Sequence, residues 1–258
     1  MKRFHLFEFE DFSWFPDFIR NGITDYLRFL IDLWDVYKPA VPLIKELINR
    51  GNVSHIIDLC SGGGGYMMRL NSYLNNPIPG NVKITLSDVY PNRAFFKFIK
   101  KKTGEIDYAE ESVDAASVPD NLTGMRTLFS AFHHFNEEYA ISVLEDAAKK
   151  KVPIGIFEAG ERRIFDIIAV IIATPLLYVL VTPFIRPFKI SRLFFTYIIP
   201  LIPFFALWDG IVSMLCMYTP GELLAFTKDL NLNYRWESGK LKNIFGTKIT
   251  YLIGYPDK

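Results

Sequence analysis

The chain has 258 residues and a net charge of +1; 50% of it is hydrophobic and 16% aromatic. High hydrophobicity with balanced charge excludes disorder. The lack of a basic excess speaks against a protein whose main task is gripping a nucleic-acid backbone, so no nucleic-acid partner is expected. Two distant cysteines, Cys60 and Cys216, exclude a secreted disulfide framework and are too few for a structural zinc site.

Residues 1–10 alternate charges and aromatics without the apolar stretch of a secretion signal, which predicts a cytoplasmic location. Helical spacing of Ile19, Ile23, Tyr26, Leu27, Leu30 and Trp34 predicts a helix over 17–35. A second is expected over 40–50, closed by Gly51. Together they make residues 1–50 a helical cap, with an aromatic, amphipathic arm. Residues 51–160 then alternate strand and helix. Strands are expected over 55–59, 83–88, 106–113 (the weakest), 126–132 and 152–157, with helices over 66–75, 92–102 and 137–150. That order implies right-handed crossovers on a parallel sheet.

Residues 161–218 break the pattern. Ile167–Ile185 is 19 residues without a charge, and Leu193–Trp208 gives 16 more. A straight helix of the first length spans about 28 Å, close to a bilayer core of about 30 Å. Pro175, Pro183, Pro187, Pro200 and Pro203 divide the run. They favour a hydrophobic lid over a substrate pocket, or a hairpin embedded in a membrane surface, rather than a spanning hairpin, with core or dimer packing as the third alternative. Asp209 is a carboxylate inside apolar sequence, costly if buried alone, and is expected to orient the acceptor or a cleft histidine. Residues 219–258 complete the chain. Thr219-Pro220-Gly221-Glu222 reads as a helix start. Two last strands, 232–238 and 246–254, should pair antiparallel around a turn near Gly239.

The segment from Ile56 to Gly65 reads as strand, turn and helix start. Its glycines admit a ligand close to the backbone, and a helix N-terminus offers free N–H groups. Asp58, Asp88 and Asp114 each close a successive strand. An acid placed as Asp88 is can accept both hydroxyls of a ribose, and one placed as Asp114 is can accept from an adenine amine while the Ala115 N–H donates to the ring. Met67 occupies the third glycine position of a dinucleotide loop, and no phosphate-gripping Gly-Lys-Ser/Thr motif is present. An adenosine compound without a pyrophosphate is the better reading.

The loop Asp58-Leu59-Cys60-Ser61-Gly62-Gly63-Gly64-Gly65 resembles motif I of class I S-adenosylmethionine (SAM)-dependent methyltransferases, of the small-molecule type. Asp88 stands where that family has its ribose-binding acid, and Asp114-Ala115 where it contacts adenine. Cys60 departs from the pattern, taking the place of the loop's first glycine. The resemblance runs over 55–160 and 219–258. It implies an α/β, Rossmann-like, seven-stranded sheet, with SAM as cofactor and its methionine moiety on the loop at Gly62–Gly64. The cofactor-binding set is then Asp58, Cys60, Gly62, Gly64, Asp88, Asp114 and Ala115.

The fourth strand leads into His133 and His134, on the side where the family places the transferable methyl group. A histidine there can take a proton from a hydroxyl or amine acceptor. His133, His134 and Asp209 are the candidate catalytic residues, and Glu158 is expected either at the cleft mouth or paired with Arg162 or Arg163. The expected activity is methylation of a small apolar or lipid-like acceptor, with a membrane surface as partner. A non-catalytic adenosyl-ligand binding or membrane-scaffold protein is the competing class.

Overall fold

A computed structural model describes residues 1–76, 81–230 and 233–257. Its strands are β1 (His55–Asp58), β2 (Lys83–Leu86), β3 (Ile106–Tyr108), β4 (Met125–Phe129), β5 (Ile154–Ala159), β6 (Tyr234–Lys242) and β7 (Lys248–Pro256). They form one seven-stranded sheet in the order β3-β2-β1-β4-β5-β7-β6. Neighbours among the first five strands pair parallel, and β7 runs antiparallel to both β5 and β6. Strand order reverses between β1 and β4, and ligands bind at the carboxyl ends of strands flanking such a point.

The helices are α1 (Asp17–Leu33), α2 (Val41–Gly51), α3 (Met67–Leu74), α4 (Arg93–Thr103), α5 (Glu137–Lys149), α6 (Ile164–Val181), α7 (Ile190–Tyr197), α8 (Leu201–Cys216) and α9 (Pro220–Ala225). One sheet face packs Ile56, Ile84, Met125 and Phe157 against Ile44, Leu70, Phe95 and Ile99. The other packs Ile57, Leu128 and Ile156 against Val143, Leu144 and Leu223. Both faces being buried explains why these strands read as continuous apolar runs. The side chains of Asn92 and Asn136 accept from Phe95 N and Tyr139 N to cap α4 and α5, and the expected Thr219/Glu222 capping box opens α9.

A third apolar cluster joins cap to insertion. Ile19, Ile23, Tyr26 and Leu30 of α1 meet Tyr178 of α6 and Ile202 and Ala206 of α8. The rings of Tyr26 and Tyr178 stack with centroids 3.6 Å apart. Gly22 allows the close approach, since a Cβ there would lie 2.6 Å from Ile202 Cδ1. Burial of each large side chain here contributes about 1.5–3 kcal/mol.

Three expectations need correction. Pro175 lies inside α6 without ending it, so the first apolar run is one helix, while the second breaks into α7 and α8, bent by 76°. The final turn is not near Gly239. That residue sits within β6 opposite Tyr251, where a Cβ would lie 2.7 Å from the tyrosine oxygen. Asn243 builds the turn instead, its side-chain oxygen accepting from Phe245 N and Thr247 N. The first residue expected in that strand, 232, lies outside the described residues. Finally, β4 ends at Phe129, and His133 and His134 follow on a single 3-10 turn, Phe132–His134. A strand reading extended too far because Phe132 is as buried as a strand residue.

Candidate active site

A cleft of about 340 Å³ opens at the carboxyl ends of β1, β2 and β4. Its floor is the glycine loop: Cys60, Ser61, Gly62, Gly63 and Gly65 line it. Gly62 and Gly65 have φ of 48° and 41°, left-handed values that L side chains rarely adopt. Cys60 has φ 55°, so the cysteine takes the backbone shape that a glycine would take there. Its thiol stays protonated, because burial and then the carboxylates of Asp88, Asp58 and Asp114 raise its pKa well above the usual range. Gly64 does not face the cleft, since a Cβ there would strike Ile99 and Phe95 of α4. Its role is packing.

Like Glu10 and Asp11, Asp88 lines the cleft. Its Oδ2 accepts from Gly62 N at 2.7 Å and its Oδ1 from Tyr90 N at 2.8 Å. The two bonds aim both oxygens along the cleft wall. Asp58 lies behind the loop, 2% exposed, with Ser61 Oγ and Thr127 Oγ1 donating to it. It holds the loop to β4 and does not line the cleft. Asp114 is exposed and also off the lining; its carboxylate accepts from Tyr139 and from Ala116 N, while Ala115 is buried beside it.

Helix α1 forms the opposite wall with Arg20, Asn21, Thr24, Leu27 and Arg28. It lies close enough that a Cβ on Gly63 would meet Thr24 O at 2.9 Å. Arg20 braces the arm, donating to Glu10 O and Phe12 O.

The two histidines part company. His134 lines the cleft, and its Nδ1 is 3.0 Å from Asp11 Oδ1. Burial alone would lower its pKa, but Glu8, Asp11 and Glu10 outweigh that and raise it well above the usual value. The surrounding carboxylates thus favour the protonated ring over the proton-accepting one. His133 is buried off the cleft, its Nδ1 bonded to Glu158. Glu158 pairs with neither arginine: its other oxygen accepts from Ala131 N and Phe132 N, fixing the turn. Arg162 bonds Glu222 instead.

Asp209 touches neither histidine. Its oxygens accept from Phe9 N at 2.7 Å and Glu10 N at 3.4 Å, fastening the arm to α8. The arm brings Glu8, Glu10 and Asp11 to the histidines, and sequence reasoning assigned none of the three. Their alternation with Phe7, Phe9 and Phe12 was the available signal, since rings that pack on the fold carry the acids between them to its surface, where buried charge needs a partner.

Acids buried in this region imply a pH dependence. Burial pushes Asp58 up to about 7 and Asp32 up to about 6, against an ordinary 3.8. The folded chain therefore holds protons that the unfolded chain has lost between these values, so their stabilising effect is present at acid pH and lost as pH rises to 7. Urea midpoints are expected to fall from pH 5 to pH 8, and Asp58→Asn is expected to shrink that fall. A midpoint that climbs over the same range contradicts the assignment.

No protein-family model matches the sequence, and no curated protein matches it. Solved structures do match the fold. The plantazolicin methyltransferase BpumL, in complex with SAH, aligns with a TM-score of 0.53 at 13% identity over 96% of this chain and 94% of its own. A SAM-dependent methyltransferase from Aquifex aeolicus aligns with a TM-score of 0.52 at 13% identity, over 90% of this chain and 97% of that one. PigF with SAH aligns with a TM-score of 0.52 at 14% identity over 95% of this chain, which covers 62% of PigF. The fold is that of the class I SAM-dependent methyltransferases. Helix α1 lines the cleft beside the glycine loop and packs against α6 and α8.

Proposed function

We propose that this chain is a SAM-dependent methyltransferase acting on a small apolar or lipid-like acceptor at a membrane surface. The observation that carries the reading is a shared helix: α1 walls the cleft on one side and packs beneath an exposed apolar face on the other.

The cleft fits the cofactor on its own features. Gly62, Gly63 and Gly65 form a cradle without side chains, Asp88 presents paired acceptors, and the Asn92 amide nitrogen on the same wall is buried without a partner. SAM supplies an electrophilic methyl group on a sulfonium. Asp88 would accept the ribose hydroxyls, and the cradle would take the methionine moiety. Orientation of the acceptor against the methyl group is the main lever available, worth about 7–11 kcal/mol. Closure by α1 and the arm keeps water out. His134 would donate to the acceptor or anchor a negative group, while Asp11, on the same lining, would receive a proton.

The acceptor class follows from the insertion. Phe165, Ile172, Leu180, Phe184, Ile198 and Phe204 are each 59–77% exposed. Residues Ile164–Phe184 are long and apolar enough to cross a membrane, with 11% buried. The exposed Arg186 and the partly exposed Lys189 add positive charge at its rim, suited to anionic lipid. The inner side of α8 is committed to α1, which supports lying in the interface over spanning it.

Two measurements test the reading. Calorimetry should show SAH binding in the micromolar range, and labelled methyl should pass from SAM into a lipid extract. Absence of SAM and SAH binding at high micromolar concentration would remove the methyltransferase reading and leave the scaffold class. Binding to anionic phosphatidylserine vesicles should weaken at least tenfold in the double variant Ile172→Glu, Phe204→Glu with SAH affinity unchanged. Equal vesicle binding by the variant would sink the membrane reading alone.

A further inference from the structure

Three buried atoms converge without partners where the arm crosses the turn after β4. Glu8 Oε1 lies 3.8 Å from His133 Nε2 and 3.7 Å from His134 Nδ1. All three lie within 4.8 Å of one another. Glu8 is 1% and His133 3% exposed, yet Glu8 Oε1, His133 Nε2 and His134 Nδ1 make no hydrogen bond. One unpaired buried polar group is costly, and three aimed at a single point call for a shared ligand.

The donor set says which ligand. Glu8 offers a carboxylate oxygen, and each imidazole nitrogen offers a lone pair once His134 has given up its proton, so a cation that displaces that proton fits the point where they meet. Imidazole with carboxylate suits first-row divalent metals such as zinc or iron(II). Ligand atoms about 2.1 Å from a tetrahedral ion stand about 3.4 Å apart, so the two distances from Glu8 would contract by about 0.3–0.4 Å on binding. The surroundings are arranged as metal sites arrange theirs. His133 Nδ1 is bonded to Glu158, whose other oxygen is fixed by two backbone N–H groups, leaving Nε2 free to face Glu8. Ser213 Oγ donates to the other oxygen of Glu8 at 2.7 Å. Asp11 Oδ1, 3.0 Å from His134 Nδ1, stands ready as a fourth ligand. Counting cysteines could not reveal this site, because it uses none.

We propose that Glu8, His133 and His134 bind one divalent transition-metal ion, which fastens the N-terminal arm to the turn after β4 and borders the cleft through His134. The inference stands apart from the methyltransferase reading, since it needs no cofactor in the cleft.

The test is titration of the chelator-treated full chain with Zn²⁺, followed by calorimetry and by thermal unfolding, with Co²⁺ as a spectroscopic probe. One Zn²⁺ per chain at submicromolar affinity, a raised Tm and a Co²⁺ absorption band of nitrogen–oxygen coordination are expected. Glu8→Gln, which keeps the shape and the Ser213 bond, and His134→Gln should each weaken binding at least tenfold. His55→Gln, whose ring bonds Thr85 instead, should not change it. Substoichiometric or weak binding to the folded wild-type chain, as a site filled by water would give, overturns the proposal. So does binding that survives both substitutions. If Glu8→Gln fails to fold, His134→Gln and the Co²⁺ band decide. SAH calorimetry on the same metal-free protein reads the cleft separately, so either reading can fail alone.

Discussion

The Asp25→Ala protein is expected to lose about 3–5 kcal/mol of stability, the usual result of leaving buried charge without its partner. Asp25 is fully buried on α1. Its Oδ2 accepts from Arg192 at 2.6 Å and Lys189 at 2.9 Å, and Arg28 lies 3.8 Å from Oδ1. Arg192 is 3% exposed and also holds the carbonyls of Ile185 and Pro187. This one carboxylate therefore carries the polar part of the joint between α1 and α7, and its loss strands two buried guanidinium groups. Asp25→Asn should fall between wild type and Asp25→Ala. Urea unfolding is the measurement, and a change below about 1 kcal/mol would show that the joint is held by its apolar contacts alone.

Asp88→Ala should weaken SAH binding about a hundredfold or more. Charge-assisted hydrogen bonds contribute about 1.5–3 kcal/mol each, and two to the ribose hydroxyls give at least two decades. Gly62 N and Tyr90 N hold the carboxylate in place, so no reorganisation offsets the gain. Asp88→Asn should retain part of the affinity. Calorimetric affinity within threefold of wild type would remove Asp88 from the ribose site. A thermal melt checks that the loop itself survives.

The body of the fold was legible because its residues are locally consistent. Ile56–Asp58, Lys83–Leu86 and Ile154–Phe157 are apolar runs between helices, and α4, α5 and α9 carry side-chain N-caps. The β6–β7 hairpin was legible in type but not in register, since Gly239 served a tyrosine ring instead of a turn. In the site, Gly62 and Asp88 are legible because one stretch of chain carries loop, strand and acid in sequence. Asp58 and Gly64 sit in the same stretch but face inward, and orientation is not written in a motif. Glu8, Asp25 and Asp209 were illegible as partners because their contacts join residues about 125 to 200 positions apart. Asp209 drew notice as a charge in apolar sequence, but only the fold shows that it grips the arm.

The arm has a consequence for how the chain is made. Arg3 donates to the carbonyls of Cys216, His133 and Phe135, Phe4 N to Leu215, and Trp208 Nε1 to Phe7. The arm thus waits for α8, which is made about 200 residues later. At about 5–20 residues per second, the interval is roughly 10–40 s. Throughout it Phe9, which packs on Phe205 and Trp208 of α8, has no surface to cover it. The histidine turn is completed only when α8 arrives, so the cleft assembles late in synthesis.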